Sequence, residues 1–182
     1  MTNVLLGCAA SAALHKACDL ASKLTQKGHR VRTILTPNAA KLIAPQHFHA
    51  LTGEPASSDE FDAEQRRTAM DHVDLGQWAE LVLLAPASAD LIGRIANGIA
   101  SDLISTAVLV VPQDVPRLLA PAMNPTMLAN PAVQRNLQRC LEDGWQLVDP
   151  TVGHMACGDA GAGRLAEPLD ILEAVERTLN SN

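Results

Sequence analysis

Short, almost wholly apolar runs alternate along this chain with longer stretches in which apolar residues recur every three or four positions. "NVLLG" at residues 3–7 reads as a buried strand. Residues 11–27 follow with Ala12, Leu14, Ala17, Cys18, Leu20, Ala21 and Leu24 at helical spacing, and Gly28 closes the pattern. "RVRTILT" predicts a second strand, "LVLLAPAS" a third, "PRLLAPA" a fourth and "WQLVDP" a fifth, with further helices near 39–52, 89–110, 125–143 and 168–180. Strands that are apolar throughout are buried on both faces, which is the habit of parallel sheets covered by crossover helices. The pattern therefore predicts a single α/β domain over residues 1–182, with a three-layer, doubly wound parallel sheet of the Rossmann-like or flavodoxin-like kind. Two stretches break the rhythm. Residues 54–71 form a polar excursion, and residues 150–167, rich in Gly and Ala, read as a mobile loop.

In such sheets ligands sit beyond the carboxyl ends of the strands, near the point where strand order reverses. The strand-end sequences are "GCAAS", "TPNAA", "PASAD" and "PAMNP": small residues, hydroxyls and prolines that let a flat ligand or a phosphate approach closely. "GCAAS" lacks the GxGxxG of a dinucleotide site, which removes the main support for an NAD reading and leaves a mononucleotide open. Ser11 offers a hydroxyl and a backbone N–H to an anion at the head of the first helix, or it simply caps that helix. Thr36 has the same two readings, with Asn38 as the alternative cap. Ser88 either bonds a ring edge, caps the helix beginning near Ala89, or does both.

Composition narrows the partners. The chain has 182 residues, is 47% apolar and carries a net charge of −6, which disfavours a nucleic-acid footprint. Aromatics make up only 2%, so the core has to come from Ala, Val, Ile and Leu. Cys8, Cys18, Cys140 and Cys157 show neither CxxC spacing nor a disulfide framework, which suits a reducing cytoplasm. "LISTAVLVV" is too short to span a bilayer, so no membrane partner is expected. His15, His29, His47, His49 and His154 make no metal-ligand set.

Four residues remain as candidates for chemistry. His72, in "DHVDLGQWAE", is a side chain able to take or give a proton near neutral pH, or else a solvated surface histidine. Asn124 lies between Pro121 and Pro125, which restrict the backbone on both sides. Its amide is suited to a carboxylate and equally suited to a turn. Cys157 sits in "HMACGDAGAGR", too glycine-rich for core, where a thiol can deliver a proton from a closing loop. Arg164 either tethers that loop or an anion, or is solvated.

Together, "LTGEPA", "HVDLGQWAELVLLAPASADLIGRIANGIASDLIS", "APAMNPTM", "PAVQRNL" and "ACGDAGAGRLAEP" resemble, in order and over nearly the whole chain, the homo-oligomeric flavin-containing cysteine decarboxylases. The resemblance implies FMN as cofactor, held by Ala9, Ser11, Thr36, Pro86, Ala87, Ser88, Ala89 and Ala122. It implies His72, Asn124 and Cys157 as catalytic residues, and Asn124, Met127, Ala156 and Arg164 as substrate-binding residues, with 150–167 as a substrate clamp. The implied reaction is FMN-dependent decarboxylation of 4′-phosphopantothenoylcysteine to 4′-phosphopantetheine in coenzyme A biosynthesis. Two electrons leave the cysteinyl side so that CO₂ can depart, and they return while Cys157 supplies a proton. The implied assembly is a trimer, or a dodecamer built from trimers.

Two departures stand out. Ala9 and Ala10 replace the more usual Gly and Ser/Thr near the phosphate, and Leu128 replaces the tryptophan of PxMNxxMW. A synthetase domain is often fused to this one in relatives, so the chain is expected to be either a monofunctional protein or part of a longer one. A peptidyl-cysteine decarboxylase, a non-catalytic FMN-binding regulator and a flavin prenyltransferase are the rival readings. Cys157 favours the coenzyme A reaction over the first, the joint presence of His72, Asn124 and Cys157 counts against the second, and the lack of phosphate-gripping basic residues counts against the third.

Overall fold

The computed structural model describes residues 1–61, 68, 70–154 and 160–181. In chain order the elements are β1 (Asn3–Cys8), α1 (Leu14–Gln26), β2 (Arg30–Leu35), α2 (Pro37–Ala40), α3 (Pro45–Thr52), β3 (Ala56–Ser57), α4 (Asp71–Trp78), β4 (Leu81–Ala87), α5 (Ala89–Ala96), α6 (Leu103–Val110), β5 (Arg117–Pro121), α7 (Pro125–Leu128), α8 (Pro131–Glu142), β6 (Trp145–Leu147), β7 (Thr151–His154), β8 (Ala160–Arg164) and α9 (Pro168–Asn180).

Six of these strands form one parallel sheet in the order β3-β2-β1-β4-β5-β6. The chain builds outward from β1 to β3, then returns to lay β4 against the other side of β1. The reversal between β1 and β4 is the switch point of a doubly wound α/β fold, so the expected fold class holds.

The alternation of side chains along each strand sorts the core into two layers. Val4, Leu6 and Cys8 of β1 join Leu81, Leu83 and Ala85 of β4 and Leu118 and Ala120 of β5 on one face, under α1, α3 and α9. Leu5, Val82, Leu84 and Leu119 face the other way, under α4, α5, α6 and α8. On α1 the buried residues are Leu14, Ala17, Leu20, Ala21 and Leu24, one stripe at helical spacing. Each fully buried Val, Leu or Ile stabilises the fold by about 1.5–3 kcal/mol, so these layers rather than any polar network hold the sheet.

Three predicted helices are each two. The 39–52 helix breaks at Ala44, extended at ψ 144°, because Pro45 forbids the residue before it the helical region and starts α3. The 89–110 helix breaks after α5. Gly98 takes φ +62°, and Asp102 caps α6 by accepting from Ser105 N, while the Ser105 side chain reaches back to the Asp102 backbone. The 125–143 helix breaks at Asn130, whose side chain caps α8 just before Pro131. The polar excursion contributes β3 to the sheet edge and ends in α4, neither of which its hydropathy announced. In the stretch read as a mobile loop, β7 and β8 form an antiparallel pair.

Candidate functional site

A row of lateral hydrogen bonds stitches the carboxyl ends of the strands together. Thr36 N donates to Cys8 O (2.9 Å), Ala9 N to Pro86 O (2.9 Å), Ala122 N to Ala87 O (3.0 Å) and Met123 N to Gly163 O (2.9 Å). Thr36, Ala9, Pro86, Ala87, Ala122 and the β8 strand are thereby fixed along one rim, across the β1/β4 switch point. Pairing between β4 and β5 shifts register between Leu84 and Ala87, where the Ala85–Pro86 peptide is cis.

At the centre of the rim the β1–α1 turn presents its backbone. The helix cap is Ala13, which has no side chain able to cap, so Ser11 is not the N-cap that one sequence reading allowed. Ser11 Oγ instead accepts from Ala13 N (3.1 Å), and Ser11 O accepts from Leu14 N (3.0 Å). Among the described residues, the amides of Ala10, Ser11 and Ala12 donate to nothing within the chain. Three successive donors at the positive end of a thirteen-residue helix make an anion-binding concavity. Ala9 contributes no such donor, because its N–H is committed to Pro86 O.

The hydroxyls on either side serve the backbone first. Thr36, 5% exposed, caps α2 by accepting from Ala39 N (3.2 Å), while Asn38 pairs with Lys41 instead of capping. Ser88 caps α5 by accepting from Leu91 N (3.2 Å), and the helix begins at Ala89 as expected. A hydroxyl that accepts in a cap keeps its own proton for a further acceptor, so the capping and binding readings are compatible. Asn124 likewise caps α7, with Oδ1 accepting from Thr126 N (2.8 Å). Its carbonyl oxygen is thus engaged in the turn. Met127 lies on α7 and is half exposed.

Behind the rim, β8 is anchored to α1. Arg164 pairs with Glu167 (2.9 Å), and Lys16 donates to the same Glu167 oxygen (2.9 Å) and to Leu165 O (3.3 Å). The hydrogen bond from Lys16, with the charges of Lys16, Arg164 and His15, holds the Glu167 carboxyl below its ordinary pKa. Lys16 carried no motif in the sequence; only the fold brings it to residue 167. A Cβ at Gly161 would approach Pro125 Cγ to 2.9 Å, so the hairpin also abuts the Asn124 turn. Ala156 and Cys157 lie outside the described residues.

His72 is in the first turn of α4. The far end of this helix packs at the amino end of β1, where Asn3 donates to Trp78 O (3.2 Å) and to Glu80 (2.8 Å). Eight residues span about 12 Å, so the first turn of α4 points toward the carboxyl side of the sheet. Among the described residues, the hydrogen-bond partner of His72 is Glu60, which meets both ring Nδ1 and the backbone N–H. The structure forms no direct bond between His72 and Ser11, Thr36, Ser88 or Asn124. No sequence signal pointed to Glu60, twelve residues away in the polar excursion.

The donor set fits FMN. Three backbone amides and Ser11 suit a phosphate without an arginine, and Ala9, Ala87, Ala89 and Ala122 keep the neighbouring strand ends low enough for a flat ring. Burial lifts the Cys8 thiol well above its ordinary pKa and its Sγ donates to Ala85 O (3.3 Å), so this cysteine is a core residue and no nucleophile.

Residues 1–180 match the Flavoprotein family. The chain is 41% identical over 175 residues to the coenzyme A biosynthesis bifunctional protein CoaBC of Bacillus subtilis, covering 96% of this chain and 42% of that one. It is 39% identical over 173 residues to CoaBC of Vibrio cholerae, covering 95% and 43%. The chain thus spans about two fifths of the length of these relatives. Among solved structures, a mutant PPC decarboxylase complexed with pantothenoylaminoethenethiol superposes with a TM-score of 0.83 at 29% identity, over 98% of both chains. The FMN-dependent cysteine decarboxylase SpaF superposes at 0.79 and 28% identity, over 96% of this chain and 98% of that one.

Proposed function

The chain belongs to the Flavoprotein family, and on that premise we propose that it binds FMN and decarboxylates 4′-phosphopantothenoylcysteine to 4′-phosphopantetheine, a carboxy-lyase step of coenzyme A biosynthesis. The observation that carries the reading is the rim itself: three amides at the head of α1 set beside Thr36, Ser88 and Ala122 across the switch point. CoaBC and PPC decarboxylase, the relatives named above, support the substrate, and the FMN-dependent neighbour supports the cofactor.

When bound, FMN supplies a reversible two-electron sink that lets the carboxylate leave without a localised carbanion. This chain supplies the rest. The amides of Ala10, Ser11 and Ala12, with the hydroxyls of Ser11 and Thr36, hold the cofactor phosphate, while Pro86, Ala87, Ser88, Ala89 and Ala122 border the ring. Asn124 Nδ2 meets the substrate carboxylate without bringing a charge that would hold it in place once CO₂ forms. Met127, Ala156 and Arg164 bind the substrate. His72 moves a proton at the thiol end, and Cys157 protonates the enethiol carbon in the returning step. Residues 150–167 act as the clamp that excludes water. The same reading places the protein in the cytoplasm as a homo-oligomer, a trimer or a dodecamer of trimers, which sedimentation would test.

Anaerobic incubation of the FMN-loaded chain with 4′-phosphopantothenoylcysteine should release CO₂ and the saturated thiol in equal amounts. Cys157→Ser should accumulate the enethiol, and Asn124→Asp should abolish CO₂ release by repelling the carboxylate. Turnover of a peptide with a C-terminal cysteine, and none of the phosphorylated substrate, would replace this reading with a peptidyl-cysteine decarboxylase.

A further inference from the structure

We propose that Glu60 is the positioning residue for His72, selecting which ring nitrogen faces the reaction; the inference deepens the function proposed above and rests on its use of His72. The Glu60 carboxylate pairs with His72 Nδ1 and lies 3.4 Å from the His72 backbone N–H through the same oxygen. Both side chains are largely withdrawn from water, Glu60 16% and His72 25% exposed. An ionised carboxylate only accepts, so the nitrogen it touches carries the hydrogen, and the neutral imidazole is held as the Nδ1–H tautomer.

Nε2 is then the nitrogen left to exchange a proton with substrate. The ring is also fixed about χ1 and χ2, since one oxygen binds the ring and the backbone of the same residue. A carboxylate at this place is further favoured by the positive dipole end of α4. The other carboxylates of the turn are otherwise engaged. Asp71 receives Thr68 N (2.7 Å) and Thr68 Oγ1 (2.9 Å), and Asp74 faces Arg32 (3.4 Å). Glu60 thus turns an excursion at the sheet edge into the support for a residue of the site.

The competing account is that the pair merely pins residue 60 to α4. Two readouts separate the accounts, one of which needs no turnover. Nitrogen-edited spectra of the FMN-loaded chain should show His72 as the Nδ1–H tautomer, and Glu60→Gln should lose that preference while Glu60→Asp retains part of it. In steady-state assays Glu60→Gln should lower kcat about 10- to 100-fold, within the range that acid–base catalysis supplies, with KM changed less than about twofold. Glu60→Asp should recover part of kcat. His72 found as the Nε2–H tautomer in the unmutated protein would overturn the proposal. So would a Glu60→Gln variant with unchanged kcat, or one whose loss appears only in KM or in melting temperature. An unmutated chain that shows the Nδ1–H tautomer but releases no CO₂ would end the proposed function while leaving the pairing established.

Discussion

Gly76 and Gly93 are both interior to eight-residue helices, yet replacing each by Ala should have opposite consequences. In a helix interior Gly→Ala stabilises by about 1 kcal/mol through backbone entropy. Among the described residues a Cβ at Gly93 of α5 would meet only Asn136 Nδ2, at 3.4 Å, an ordinary contact, so Gly93→Ala should gain up to that amount. A Cβ at Gly76 of α4 would stand 2.8 Å from Ala107 O and 2.9 Å from Val110 Cβ on α6. Neither atom moves by a rotamer change, so the two helices must separate. Such overpacking costs about 1–3 kcal/mol. The steric cost meets or exceeds the propensity gain, and the two variants should differ by about 1–3 kcal/mol in the same background. Over a domain of this size that is roughly a 2–12 °C difference in Tm. The helix displaced carries His72, so Gly76→Ala should also lower turnover, whereas Gly93→Ala should not. Thermal melts of the two single variants in the FMN-loaded protein decide the matter. Equal Tm values, or Gly76→Ala the more stable, would refute backbone contact between α4 and α6.

Thr36→Val should cost about 1 kcal/mol from the lost α2 cap and weaken FMN binding about tenfold, with Thr36→Ser restoring both, as read by melts and fluorescence titration. An unchanged FMN affinity would remove Thr36 from the site. Burial acts to raise the Glu54 pKa, but its hydrogen bonds and charge contacts with Arg30 and Arg32 prevail and hold it below the ordinary value. The depressed folded value means Glu54 contributes stability above the unfolded carboxylate pKa of about 4.3, lost as pH falls through the folded value. Glu54→Gln should therefore flatten the acid limb of the Tm profile below about pH 4.3 and leave its shape near pH 7 unaltered. Burial pushes Cys140 to about 11, with the charge of Asp143 adding to the rise, and burial also lifts Cys8 well above its ordinary value. At pH 8 alkylation followed by mass spectrometry should label neither in the folded protein and both after denaturation. Stoichiometric labelling of folded Cys140 would contradict its burial.

How far the fold could be read from the chain follows from which forces are local. Apolar runs such as 81–87 and the stripe of Leu14, Ala17, Leu20, Ala21 and Leu24 announce a parallel α/β sheet, because burial on two faces or on one stripe leaves its period in the sequence. The breaks at Ala44, Gly98 and Asn130 were also written locally, in Pro45, the capping Asp102 and Pro131, but a continuous apolar period masked them. Two-residue β3 and the β7–β8 pair have too few side chains on one face to leave a period at all.

The site divides along the same line. Ser11, Thr36, Ser88 and Asn124 stand at strand ends that the pattern locates, so their chemistry and their neighbourhood could be named from sequence. Tertiary structure alone decided what each atom is free to do. It spends the Ala9 amide on Pro86, leaves those of Ala10, Ser11 and Ala12 unspent among the described residues, and turns the Asn124 oxygen into a cap. It likewise brings Lys16 to Glu167 and Glu60 to His72, pairs separated by 151 and 12 residues. Periodicity encodes which way a side chain faces, whereas the partner it meets is set by crossings of the chain that no single segment contains.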